Sequence, residues 1–142
     1  MRALLDVNVL VALLDADHVQ HRSARAWFER EINHGWASCA ITQNGVVRVM
    51  SLPRYPNAVT TAEAADRLES ATRDPHHVYW PCSISLLDGQ VVDRSYLHGP
   101  RQVTDVYLLA LATANDGRFV TFDDGVSIAA VPNATANHLV VL

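Results

Sequence analysis

Short apolar, β-prone runs alternate with segments of helical spacing along this chain, and that alternation restricts the fold more than any other feature of the sequence. Residues 3–5, 36–41, 77–80, 118–122 and 138–142 read as strands. Between them, 7–14 reads as a helix capped by Asn8, and 21–31 places Ala24, Trp27 and Phe28 on one apolar stripe. Thr42 caps a helix running to about Ser51, Thr60 and Glu63 form a T-x-x-E capping box, and Ser85 caps a helix over 86–97. Thr104 caps the last helix, 105–115, which is apolar nearly all round. Strands joined through helices pair in parallel, and a parallel sheet needs both faces covered. The expected fold is therefore a three-layer α/β domain with a central, mostly parallel sheet of four to five strands.

At 142 residues there is room for one domain spanning 1–142, and 49% apolar residues suffice for its core. The formal charge is −4, so affinity for nucleic acid must come from local patches rather than from a basic field. All eleven basic residues are arginine. The missing lysines exclude Walker-type phosphate loops and Schiff-base chemistry. They also count against phosphoryl transfer through an aspartyl intermediate, since the folds that would suit Asp6 for it use a lysine near the phosphate. Cys39 and Cys82 are too few for a disulfide scaffold, and Asp6 and Asn8 interrupt the apolar N-terminal run, so a reduced cytoplasmic setting without membrane or export signals is expected.

The acidic residues carry the chemistry. Asp6 and Asp123 directly follow apolar strands, and open α/β sheets bind ligands outside the carboxyl ends of their strands. Asp105 opens a helix preceded by Gly99-Pro100, and Gln43 opens one just after a strand. Four separate segments thus converge on one edge. Any single Asp there can be structural, because Asp caps turns and its charge at a helix start contributes about 0.3–1 kcal/mol. Together they are not easily structural: three carboxylates about 5 Å apart repel by roughly 3 kcal/mol per pair at an effective dielectric near 20. A hard divalent cation relieves this, and Mg²⁺ (or Mn²⁺) taking one or two carboxylates with waters suits phosphodiester hydrolysis. Asp124 reads as a solvated turn residue.

Among the arginines, Arg48 and Arg101 border the predicted cleft and have the planar fork that phosphate favours. His18, His21, His76 and His77 lack an H-E-x-x-H or C-x₂-C context, so no zinc site is expected. Trp27, Trp36 and Trp80 are assigned to packing.

The segments LLDVNVLVALL, ITQNGVVRVMS, QVTDVYLLALA and RFVTFDDG resemble, in order and spacing, the four motif blocks of PIN domains, specifically VapC-type toxins of bacterial toxin–antitoxin pairs. The resemblance covers nearly the whole chain. It implies a Rossmann-like PIN fold and a metal-dependent endoribonuclease that hydrolyses RNA and so inhibits translation or growth. It further implies Asp6, Asp105 and Asp123 as metal-binding acids, with Asn8, Thr104 and Thr121 as supporting polar residues. A VapB-type antitoxin partner follows from the same likeness, as does a homodimer. An antitoxin arginine entering the acidic cleft would compete with the cation. The chain departs from the pattern at Gln43, where T-E-N-G is usual. An amide removes one negative charge and cannot act as a base, which leaves a second expectation of a degenerate PIN domain that binds RNA or antitoxin without cutting.

Overall fold

The computed structural model describes residues 1–142. Its five strands are β1 (Ala3–Leu5), β2 (Trp36–Ser38), β3 (His77–Tyr79), β4 (Arg118–Thr121) and β5 (Leu139–Val141), and its helices are α1 (Val7–Leu14), α2 (His21–Glu31), α3 (Ala40–Met50), α4 (Thr61–Thr72) and α5 (Val103–Ala114). Every pairing is parallel and the order is β3-β2-β1-β4-β5. The chain builds outward from β1 through β2 to β3, then returns to place β4 on the other side of β1. The order therefore reverses between β1 and β4, and the crevice at their carboxyl ends is the switch point where such sheets bind ligands.

Period-two alternation divides the strands between two cores. Leu4, Ala37 and Phe119 face α5, where Leu108, Leu109 and Leu111 are fully buried. Ala3, Leu5, Trp36 and Val120 face the other layer, against Val9, Trp27, Val46 and Leu68 of α1 to α4. The three tryptophans are all packed inside. Gly45 lets α3 cross α1 closely, since a Cβ there would lie 2.4 Å from Val7 Cγ2. That approach brings the start of α3 to the β1 edge.

The helix starts differ from expectation. Asp6, not Asn8, caps α1, and Cys39, not Thr42, precedes α3. Both helices start within two residues of the strand before them, so the strand end sets the boundary and Thr42 falls inside, where its Oγ1 accepts from the Cys39 backbone N–H at 3.0 Å. Helix α5 begins at Val103 rather than after Thr104, because Pro100 opens a 3₁₀ turn (Pro100–Gln102) that leads straight into it.

The helix expected over 86–97 is absent. In its place lie turns and a short 3₁₀ segment, Arg94–Tyr96. Local side chains take the backbone donors that a helix would need: Ser85 Oγ accepts from Leu87 N, Asp88 Oδ1 from Gln90 N, and Asp93 Oδ1 from Ser95 N. Val92 is buried and Leu86, Val91 and Leu97 pack on the α5 core, so the apolar spacing is satisfied by a turn-rich path. Cys39 and Cys82 are both free thiols, and no helix is long and apolar enough to cross a membrane.

Candidate metal and active site

Asp6 sits between the end of β1 and the start of α1. Its backbone N–H continues the ladder to Val120 O (2.9 Å), and its side chain turns inward with only 6% exposure. Oδ1 accepts from Val7 N at 2.7 Å, and Oδ2 accepts from the Thr121 hydroxyl at 2.7 Å. Burial raises the Asp6 pKa; these two hydrogen bonds oppose that rise, and the Asp123 charge adds to it.

Thr121, the last residue of β4, is wholly buried and serves both acids. Its Oγ1 donates to Asp6 and accepts from the Asp123 backbone N–H at 3.0 Å. Asp123 closes a turn in which its Oδ1 accepts from Gly125 N at 2.7 Å. Asp105, in the first turn of α5, completes the group. Burial, then the charges of Asp6 and Asp123, push its pKa up to about 6. Three segments far apart in sequence therefore place carboxylates within electrostatic reach of one another at the switch point.

The acids do not form a closed cage: no group of three His, Cys, Asp or Glu side chains is arranged to hold an ion on its own. An all-oxygen donor set of this kind would suit a hard cation such as Mg²⁺ or Mn²⁺ only with water completing its coordination. Mg²⁺ keeps several waters and takes only one or two carboxylates, so it requires nearby anionic oxygens with room between them. The charge held on partly desolvated Asp105 is what such an ion would compensate.

Gln43 is engaged elsewhere. Its Nε2 donates to Ser38 Oγ (3.0 Å), and the fully buried Ser38 lies 2.9 Å from His77 Nε2. Burial lowers the His77 pKa. Gln43 also lines a polar groove with Asn44, Ala65, Glu69 and Thr72 between α3 and α4. The structure thus brings Asp6, Asp105, Asp123 and Thr121 together and gives Gln43 to a Ser38–His77 chain. Asn8 and Thr104 are exposed beside Asp6 and Asp105 without side-chain hydrogen bonds of their own. Arg101 is exposed in the turn leading into α5, at the acidic edge, whereas Arg48 lies in the last turn of α3, roughly 7.5 Å further along that helix than Gln43. Neither arginine is in an ion pair.

Sequence reasoning passed over Ser38 and Gln102. Ser38 lies inside the strand expected over 36–41, and only the early start of α3 at Ala40 leaves it at the end of β2. Gln102, whose Nε2 donates to Gly125 O at 3.0 Å, carried no signal.

A separate apolar groove of about 410 Å³ lies between α1, α2 and α4, floored by Leu10, Leu13, Leu14, Phe28, Ile32 and Ala71, with Arg25, Glu29 and Asp74 among its polar residues.

This parallel sheet with an acidic switch point is that of a PIN domain. The PIN domain family model matches residues 3–132, and the chain belongs to that family, in its VapC-type branch. It is 62% identical over 142 residues, all of both chains, to Ribonuclease VapC44 of Mycobacterium tuberculosis. It is 43% identical to Ribonuclease VapC39 of the same organism over 124 residues, covering 87% of this chain and 89% of that one. Among solved structures, VapBC2 from Rickettsia felis bound to a DNA fragment from their promoter contains a chain that superposes with a TM-score of 0.66 over 100% of this chain and 99% of that one. Their identity is 15%, so that likeness concerns the fold alone.

Proposed function

We propose that this protein is a metal-dependent endoribonuclease and the toxin of a VapBC-type pair, with Asp6, Asp105 and Asp123 holding Mg²⁺ or Mn²⁺. The observation that carries this reading is the convergence of three carboxylates from three segments at the switch point, where burial first, and then the charges of Asp6 and Asp123, push Asp105 up to about 6. Ribonuclease names among relatives of 62% and 43% identity support the same chemistry. A bound cation would supply Lewis acidity and an activated water for phosphodiester hydrolysis.

The chain's own residues orient and hold charge. Thr121 fixes Asp6 and, through the Asp123 backbone, the second acid; Val7 N–H holds the Asp6 carboxylate at the end of β1. At a net charge of −4, the acidic edge repels RNA phosphate, so the cation and the unpaired Arg101 supply the local positive potential that the chain lacks. Arg48 serves as a more distant contact.

The partner is a VapB-type antitoxin. Its docking face is the groove of α1, α2 and α4, whose apolar floor and charged edge suit the apolar side of a partner helix. The protein acts in the cytoplasm, as a homodimer.

A second reading, binding without cleavage, is motivated by Gln43, whose amide is committed to Ser38 rather than to the acids. RNA cleavage by the purified protein separates the two. The nuclease reading expects cleavage that EDTA stops and that Asp6→Ala or Asp123→Ala abolishes. RNA binding without cleavage at any Mg²⁺ or Mn²⁺ concentration would favour the second, and cleavage surviving both substitutions would refute the assigned site.

A further inference from the structure

We propose that Gln102 is a positioning residue of the acidic site, clamping the Asp123–Gly125 turn to the start of α5 and so fixing Asp123 relative to Asp105. The inference rests on the metal-site reading above and deepens it. Gln102 occupies the N-cap position of α5 yet makes no capping hydrogen bond. Its side chain reaches across 23 residues of sequence instead, and Nε2 donates to Gly125 O at 3.0 Å. Gly125 N in turn donates to Asp123 Oδ1 at 2.7 Å. One residue is thus held from both sides: its carbonyl by the helix that carries Asp105, its N–H by the Asp123 carboxylate. The turn is tight, since a Cβ on Gly125 would lie 3.0 Å from Asp123 Oδ1.

The other end of the same amide marks this as more than a strut. Gln102 Oε1 is buried and has no hydrogen-bond donor. A carbonyl oxygen held that way is costly unless something at the site donates to it. It belongs to the amide that clamps the Asp123 turn, so the Nε2–Gly125 contact is kept even though the carbonyl end of the same side chain goes unpaired. Groups that hold ligands in this indirect way typically change metal affinity by about 10–100-fold when removed.

The test uses the full chain and Mn²⁺ alone, titrated by calorimetry without RNA, with RNA cleavage against Mn²⁺ concentration as a second measurement. Gln102→Met keeps the length and removes both polar functions. It is expected to weaken Mn²⁺ binding by about tenfold or more, with cleavage recovering at saturating Mn²⁺. Gln102→Leu removes the same amide with a shorter side chain and is expected to do the same, which keeps the test open should Gln102→Met not fold. If either folded variant binds Mn²⁺ as tightly as the wild type, with or without a lower melting temperature, Gln102 is a structural clamp and the proposal is overturned. If the wild type itself binds no Mn²⁺, the metal-site reading fails, and this inference with it.

Discussion

Replacing Asp105 separates an acid held in a charged site from an acid that merely starts a helix. Burial and the charges of Asp6 and Asp123 push its pKa to about 6. In the unfolded chain it titrates near 4. Between those values the folded protein keeps a proton that the unfolded chain has released. Linkage then makes its contribution most favourable below about pH 4, declining as pH rises and fully lost above about pH 6. A displacement of that size corresponds to roughly 3 kcal/mol. Part of Asp105 remains in water, and screening brings the figure to about 1–2 kcal/mol. Asp105→Asn removes the charge and keeps the shape. In EDTA at pH 7.5 it should therefore stabilise the fold by about 1–2 kcal/mol, a rise in melting temperature of about 3–7 °C. At pH 4 the gain should nearly vanish, and with Mg²⁺ at neutral pH the wild type should regain its position. A helix-dipole role predicts the opposite sign, a loss of about 0.3–1 kcal/mol at pH 7.5. Urea denaturation at the two pH values, with and without metal, decides it. Destabilisation in EDTA at pH 7.5, or an equal gain at both pH values, would refute the reasoning.

Thr121→Val keeps the volume but removes the hydroxyl that joins Asp6 to Asp123, so cleavage should fall by tenfold or more, and stability at neutral pH by about 1.5–3 kcal/mol; full activity and an unchanged urea midpoint would deny the link. Gln43→Glu adds a carboxylate and should lower the Mg²⁺ concentration needed for half-maximal cleavage. It also ends the donation to Ser38, so NMR titration should show the His77 pKa rising; an unmoved metal titration would sink the charge argument. Phe28→Asp, on the floor of the apolar groove, should weaken antitoxin binding by at least tenfold while leaving RNA cleavage intact, and calorimetry that shows unaltered affinity would move the antitoxin elsewhere.

What could be read from the sequence was local periodicity plus position at strand ends. Apolar alternation located all five strands, and the acids at the ends of β1 and β4 were visible because a charge after an apolar strand has few structural uses. Helix starts were less legible. Asn8 and Thr42 are better caps than Cys39 by residue preference, but short strand-to-helix connections override preference, leaving Asp6 and Cys39 at the cap positions. The false helix over 86–97 has the same origin in reverse. Its apolar spacing is real, yet Ser85, Asp88 and Asp93 compete locally for the backbone donors. Strand order, the Ser38–His77 hold on Gln43, and the Gln102–Gly125 clamp depend on contacts between residues 23 to 39 or more positions apart, which no window of sequence contains.

The distribution of hydrogen bonds among the three acids explains how one site can be both rigid and strained. Asp6 is nearly buried but receives Val7 N–H and the Thr121 hydroxyl, which hold its carboxylate in place. Asp123 is exposed and fixed by Gly125 N–H. Asp105 receives no side-chain hydrogen bond and carries the largest resolved displacement among the acids. Two acids are therefore pre-set by donors within the fold, and the third has none. On the proposed reading, a cation bound here would gain most from Asp105, the acid with no hydrogen-bond donor of its own. The same asymmetry makes Asp105 the natural point at which an incoming cationic side chain would compete with the metal.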